Sequence, residues 1–356
     1  MNCDKQLTLL LTLKDRPVYT KRWLAYADQF HCPFPILIAD GSKTSENADI
    51  IKNYLSKLDI QYCRYPLDEN FAAYYRKVAD AATKIKTPYV LQVNNDDLYD
   101  FSTLSQGVHL LEKNNIYHSC HIKSLTFSIK KPFFISSCSN ANKIDVNPRA
   151  HERLLQYFSG APGAYYNIHR HDFYEKFWKD IVHLNFLDIR SHEIMLDTLS
   201  YASGNVGVTP SYGYFREESG QGNTCQVETN MLKEIMQPFW VSEQITISEY
   251  VADLISRQDG LQKEIAVEYY FNGLRNFLAT PIVRDLLTER TLSNKNRKKI
   301  YQLIAKDVIS NSMLNKPIRK IVEAKNRIHK KETEFLPICA FLESWYDKKL
   351  SAQQYD

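Results

Sequence analysis

The chain has 356 residues, of which 44% are apolar and 24% charged, with a formal net charge of +4. Those values suit a soluble globular protein of one large or two medium domains, and the sequence holds no run of eighteen apolar residues to span a membrane. Cysteines 3, 32, 63, 120, 138, 225 and 339 stand singly, without a CxxC pair, which fits a reducing cytosol better than a disulfide scaffold.

The first hundred residues alternate between two hydrophobic periods. The opening "MNCDKQLTLLLTLKDRP" has one short apolar run and no small-residue cleavage pattern, so it reads as a first strand (7–13) and not as a signal peptide. A helix with Pro17 in its first turn follows. "FPILIAD" (34–40) is a second strand, "SENADIIKNYLSKL" a helix, "DIQYCRY" (59–65) a third strand, "NFAAYYRKVADAATKI" (70–85) a helix and "PYVLQV" (88–93) a fourth strand. Strands alternating with helices of this length predict βαβ units and a mostly parallel sheet. After residue 100 shorter, antiparallel strands are expected. "HSCH" (118–121) falls in one of them and lacks a second ligand pair, so it reads as structural. "SGAPGAYYNIHR" (159–170) is a loop entering a strand, "HDFYEKFW" and "SHEIMLDTLSYA" are helical, and "VGVTPSYGYF" (206–215) returns a strand to the sheet. From Met231 onward the pattern is helical, which places a boundary near residue 230 between an α/β domain (1–230) and a helical C-terminal region (231–356). Within the latter, twelve Lys or Arg face only Asp307 and Glu323 between Lys295 and Lys331.

Open α/β sheets bind ligands beyond the carboxyl ends of their strands. Three polar clusters fall there: Lys14-Asp15-Arg16-Pro17, Asp40-Gly41-Ser42 and Asn94-Asn95-Asp96-Asp97. No glycine precedes Gly41, so the GxGxxG and P-loop modes are absent. Paired carboxylates on a strand-end turn suit Mg²⁺ or Mn²⁺ shared with substrate phosphates, and Arg16, Arg76 and Lys77 suit the same anion. Each residue also has a plain structural reading: Asp96 and Asp97 as caps of a helix near Phe101, Asp40 as an Asx-turn residue, Arg16 as a helix-start residue, and Arg76 and Lys77 as a solvated helix face. The aromatics of "AYYNIHRHDFYEKFW" suit sugar stacking or core packing.

"LKDRPVYTKRWLAY", "ILIADGS" and "YVLQVNNDDLY", in that order and spacing, resemble bacterial glycosyltransferases of the GT-A fold, close to family 2, over roughly residues 5 to 225. The resemblance implies a donor nucleotide near Arg16 (the N/D-R-P segment), and Asp40 on the base or ribose with Ser42 nearby (the D-G-S segment). Arg76 and Lys77 would approach the donor. Asn95-Asp96-Asp97 resembles the D-x-D motif, with Asp97 the first metal ligand and Asp96 the second. Asn95 stands where the first Asp is usual; it costs one negative charge but keeps an amide for a ribose hydroxyl. "RSHEIMLDTL" is similar to the segment that brings a catalytic carboxylate to the start of a helix. This implies Glu193 as general base, with Asp188 as runner-up and Asp197 one turn deeper. No histidine lies between His192 and His329, so Glu217, Glu218 or Asn223 would replace a late metal-binding histidine.

The expected activity is transfer of a sugar from a nucleotide-diphospho sugar to an acceptor hydroxyl, with inversion, in bacterial surface-polysaccharide assembly. The implied partners are the donor and a saccharide or lipid-linked saccharide acceptor. The implied location is cytoplasmic, with the basic segment 295–331 in peripheral contact with an anionic membrane and no nucleic acid bound. A sugar-1-phosphate nucleotidyltransferase is the enzymatic alternative, and it lacks its N-terminal glycine-rich signature here. A nucleic-acid-binding protein using the basic segment is the non-enzymatic one.

Overall fold

The computed structural model describes residues 6–128, 134–138, 141, 144–217, 231–288 and 336–352. The basic segment 295–331 and residues Glu218 and Asn223 lie outside this set. Strand β1 (Leu7–Leu13), helix α1 (Pro17–Gln29), β2 (Ile36–Asp40), α2 (Glu46–Lys52), β3 (Ile60–Arg64), α3 (Phe71–Lys84) and β4 (Tyr89–Val93) follow the alternation expected. Then come β5 (Leu98–Tyr99), α4 (Phe101–Lys113), β6 (Tyr117–Ser128), β7 (Phe134–Cys138), α5 (Ala150–Phe158), β8 (Ile168–Arg170), α6 (His171–Leu184), α7 (Ile189–Ser203) and β9 (Asn205–Glu217). The remaining helices are α8 (Met231–Ile235), α9 (Trp240–Asp259), α10 (Lys263–Thr288) and α11 (Leu336–Ala352).

Among the described residues the strands form one sheet in the order β3-β2-β1-β4-β8-β6-β9-β5, with β7 on β6. The first four pair in parallel. Beyond them β8 runs antiparallel to β4 and β6, whereas β6 and β9 pair in parallel along nearly their whole length. The expectation that "VGVTPSYGYF" returns to the sheet is met, and the strand extends to Glu217. Its end pairs antiparallel with β5, setting Tyr99 opposite Tyr214 and Leu98 opposite Phe215. This fastens the end of β9 beside the Asn94–Asp97 turn.

The alternation of β1 shows why the sheet is covered on both faces. Leu7, Leu9, Leu11 and Leu13 enter the core under α1 and α4, while Leu10 enters the core under α3, α6 and α7. The helices after residue 230 complete these same cores. Ile247, Val251 and Ile255 of α9 join the core where that helix packs on α5 and α7, Tyr270 and Leu274 of α10 join it where that helix packs on α5 and α9, and Ile338, Phe341 and Leu342 of α11 pack with α1. The segments 1–230 and 231–356 therefore share buried side chains. No helix among the described residues is long and apolar enough to cross a membrane.

Candidate active site

Parallel register brings the three expected clusters to one rim. Leu13 pairs with Asp40 across β1 and β2, and Leu11 with Val93 across β1 and β4, so the turns that follow lie side by side. The β1–α1 turn is unusual. Asp15 (φ 57°) and Arg16 (φ 60°) are both left-handed, a conformation that costs a non-glycine residue roughly 1–2 kcal/mol. The β2–α2 turn holds them there. Asp15 N–H donates to Ser42 Oγ (2.7 Å), Lys43 N–H donates to Asp15 Oδ1 (2.8 Å), and Asn47 Nδ2 donates to the Asp15 carbonyl (3.1 Å). Pro17, fixed in φ, then opens α1. The result aims Arg16 across the rim at Asp96 Oδ2 (2.9 Å), with its guanidinium 4.1 Å from the Tyr19 ring centre.

Asp40 is fully buried. Its Oδ1 accepts from the Ser42 N–H (2.9 Å) and hydroxyl, and its Oδ2 accepts from Tyr62 O–H (2.8 Å) and Arg64 (2.9 Å). Its visible work is to shape the Asp40-Gly41-Ser42 turn and hold Arg64 and Tyr62 at the rim. Gly41 is required in that turn, because a Cβ there would collide with the Asp68 carboxylate.

Lys77 is corrected. It is 3% exposed, donates to the Leu13 carbonyl (2.9 Å) and pairs with the buried Asp68, so it props the β1 end from beneath and is not a cation facing a diphosphate. Burial pulls its ammonium below the usual lysine range, opposed by Asp68. Arg76, one position earlier on α3, is exposed and makes no hydrogen bond or ion pair among the described residues.

The Asn94–Asp97 turn is more tightly held than its composition suggests. Asn94 Nδ2 donates to the Tyr166 hydroxyl (2.7 Å). Asn95 turns its amide toward α1, donating to Thr20 Oγ1 (3.1 Å) and the Arg16 carbonyl (3.4 Å). It is thus a brace between two turns. Asp97 is buried; Oδ1 accepts from the Glu217 N–H (3.0 Å) and Oδ2 from Tyr214 O–H (2.7 Å). Burial, with Asp96 beside it, pushes Asp97 up to about 7. Neither Asp96 nor Asp97 caps the next helix: Asp100 does, accepting from the Thr103 N–H (2.6 Å).

Across the cleft stands α7, which begins earlier than the sequence suggests. Asp188 is its N-cap, accepting from the Arg190 N–H (3.0 Å), so Glu193 sits in the second turn and the reading that it opens the helix is corrected. The cap commits one Asp188 oxygen to the backbone, and the other, Oδ2, is buried with no partner among the described residues. Burial, with Asp197 next, raises its carboxyl to about 7, against the opposing pull of Arg190 and Arg216. Glu193 is half-buried and accepts no hydrogen bond among the described residues. Asp197 is enclosed, accepting from the Ala164 N–H, and burial lifts it to about 7 as well. Gly163 is needed beside it, since a Cβ there would lie 2.8 Å from Asp197 Oδ2.

Two residues that sequence reasoning did not single out join these halves. Arg216, exposed at the end of β9, is close enough to pull down the titration of both Asp97 and Glu193. Tyr166 feels the same two carboxyls. The loop bearing Tyr166 was flagged for its aromatics, but Tyr165 and Tyr174 are occupied otherwise, sharing the buried Gln92 with Tyr74. His118, half-buried with its Nε2 enclosed, and the buried His121 lie in β6, where desolvation pushes them down to about 3 and about 4. Glu217, named as a substitute metal ligand, is instead paired with the buried Arg22.

Among solved structures the chain is similar to S. aureus TarS 1–349, with a TM-score of 0.52 at 11% identity, covering 96% of this chain and 87% of that one. It is also similar to the same TarS fragment in complex with UDP-GlcNAc, with a TM-score of 0.55 at 12% identity, covering 96% and 88%. The fold is that of the GT-A glycosyltransferases. The mannosyltransferase PcManGT from Pyrobaculum calidifontis, in complex with GDP-Man and Mn²⁺, gives a TM-score of 0.43 at 9% identity over 97% of this chain and 87% of that one. No protein-family model and no curated protein matches the chain.

Proposed function

We propose that this GT-A chain transfers a glycosyl group from a nucleotide-diphospho sugar to an acceptor hydroxyl, with inversion, in bacterial surface-polysaccharide assembly. The pathway rests on the sequence resemblance alone. The observation that carries the reaction is the Arg16-braced Asp96–Asp97 turn on the strand-end rim together with a half-buried Glu193 on α7 that accepts no hydrogen bond among the described residues, with Arg216 acting on both Asp97 and Glu193.

The chemistry follows from charge. The acceptor O–H gives its proton to a Glu193 oxygen as the hydroxyl oxygen bonds to the anomeric carbon. The bond from that carbon to the diphosphate oxygen breaks with its electron pair. A carboxyl titrating near 7 suits this task, since a base is most effective close to the operating pH. Arg16 and Arg216 supply positive charge where the diphosphate gains negative charge. Asp40 orders the nucleoside end through Ser42, Tyr62 and Arg64.

Asp96 and Asp97 fit a hard divalent cation that takes one or two protein carboxylates and completes its shell with phosphate and water. They do not fit an all-protein cage, because no group of three His, Cys, Asp or Glu suited to an ion exists among the described residues. The hydrogen bonds on Asp97 are of the kind that orient metal ligands, and Asp96 must exchange Arg16 for the cation. When bound, Mg²⁺ or Mn²⁺ would neutralise the leaving diphosphate.

A panel of nucleotide sugars, with and without Mn²⁺, tests the reading by thermal stabilisation, followed by NMR of the product's anomeric configuration. Stabilisation by one donor and an inverted product are expected. A retained configuration overturns the single-base mechanism, and no stabilisation by any donor overturns the activity.

A further inference from the structure

Behind the Asp96–Asp97 turn lies a buried cation that the reaction above does not use. Arg22 of α1 has a side chain only 1% exposed. Its Nη1 donates to Glu217 Oε2 and to the Tyr346 hydroxyl (2.8 Å), and its Nη2 donates to the Asp96 carbonyl (2.8 Å). Glu217 gives its own N–H to Asp97 Oδ1 (3.0 Å), and Tyr19 O–H reaches Glu217 Oε1 (3.4 Å). Thus α1, the end of β9 and α11 converge on the back of one turn. Helix α11 reaches it because Ile338, Phe341 and Leu342 are buried, with the Phe341 ring edge-on to Tyr26 at 5.2 Å between centres.

Stability alone does not account for this arrangement. A buried ion pair is weak evidence of stabilisation, since desolvation opposes the attraction and an apolar pair of similar volume often serves as well or better. Arg22 Nε is buried with no partner among the described residues, so the guanidinium is not placed to saturate its own donors. What it does satisfy is specific to the site: one contact fixes the Asp96 main chain, and another fixes the residue whose N–H holds Asp97. Burial is the largest influence and opposes the charge on Arg22, but Glu217, Tyr346 and Tyr19 together outweigh it and raise the group.

We propose that Arg22, Glu217 and Tyr346 are positioning residues for the Asp96–Asp97 turn, and that α11 thereby belongs to the donor site. This rests on the glycosyl-transfer reading. Tyr346→Phe removes one hydroxyl and keeps the ring that docks α11. Its expected result is at most a small fall in melting temperature, an unchanged acceptor KM and a donor KM raised about 5-fold, equivalent to about 1 kcal/mol. The paired variant Arg22→Met with Glu217→Leu separates positioning from packing. It should melt at or above the wild-type temperature while donor KM stays raised at least about 10-fold. Unchanged donor KM in Tyr346→Phe, or recovery of donor KM together with stability in the paired variant, overturns the clamp while leaving the activity standing. A wild-type protein that turns over no nucleotide sugar overturns the activity and the clamp with it.

Discussion

Glu193 carries the sharpest expectation because its neighbours set its titration. Glu193→Gln keeps the shape and removes the basicity, so kcat should fall by roughly 10²-fold or more with donor binding preserved. In the wild type, kcat should rise with pH through about 7, as the carboxyl loses the proton that burial and Asp197 help it keep. Asp197→Asn removes a neighbouring negative charge, so that inflection should move to lower pH; a pH–rate profile with an unmoved or raised inflection rejects the coupling. Asn95 makes a contrasting case. Restoring a carboxylate at the D-x-D position reads, from sequence, as a gain in metal affinity. The amide, however, donates to the Arg16 carbonyl and to Thr20. Asn95→Asp sets an oxygen against a carbonyl and should cost about 1–3 kcal/mol, seen as a lower melting temperature with no tighter Mn²⁺ binding by calorimetry.

At the scale of elements, α7 places the base and Asp188 places α7. Asp188→Ala should cost about 1 kcal/mol of stability through the lost cap and leave kcat within a few-fold of wild type, whereas Asp188→Asn should restore the stability. A dead Asp188→Asn enzyme would return the base to Asp188. The strands and helices up to residue 100 were legible because their side-chain periods of two and about 3.6 are local. The rim was legible too, since parallel strands align their carboxyl ends. Other features escaped for physical reasons. The start of α7 depends on which of several polar residues wins the cap. Lys77 reads as solvated from its helical spacing, yet it is buried beneath the end of β1, held by the Leu13 carbonyl and by Asp68. Arg22 and Glu217 are 195 residues apart, and no local pattern links them. The left-handed Asp15–Arg16 turn is held by a different loop, so nothing within "KDRP" announces it.

At the scale of the whole molecule, three desolvated carboxyls shape the pH response above neutrality. Asp97, Glu193 and Asp197 each rise to about 7 on folding. A carboxyl whose folded pKa is raised adds stability that is full below its unfolded value near 4 and is lost as pH climbs through 7. His118, His121, His169 and His192, pushed down to about 3 or 4 by burial, act the other way below their ordinary value near 6.5. Melting temperature should therefore decline between about pH 6.5 and pH 8, and a Glu193→Gln/Asp197→Asn variant should decline less steeply; an equal slope rejects the assignment. Asp80 and Asp259 are lowered, so their contribution runs the other way and disappears in acid. The basic stretch 295–331 adds a separate expectation, binding to anionic vesicles at about 1 kcal/mol per basic residue near the surface. Co-sedimentation with neutral lipid to the same extent, or with neither, rejects it.

The Arg22–Tyr346 contact spans 324 residues of chain. At about 5–20 residues per second of synthesis, Arg22 leaves the ribosome roughly 15 to 65 seconds before its last partner exists. During that interval the first helix and strands can assemble, but the guanidinium waits 195 residues for Glu217 and the full 324 for Tyr346, and until then it must stay hydrated. Completion of the donor side is thereby a late event of biogenesis. A nascent chain arrested before residue 336 should accordingly remain open to protease around α1 after its sheet has formed.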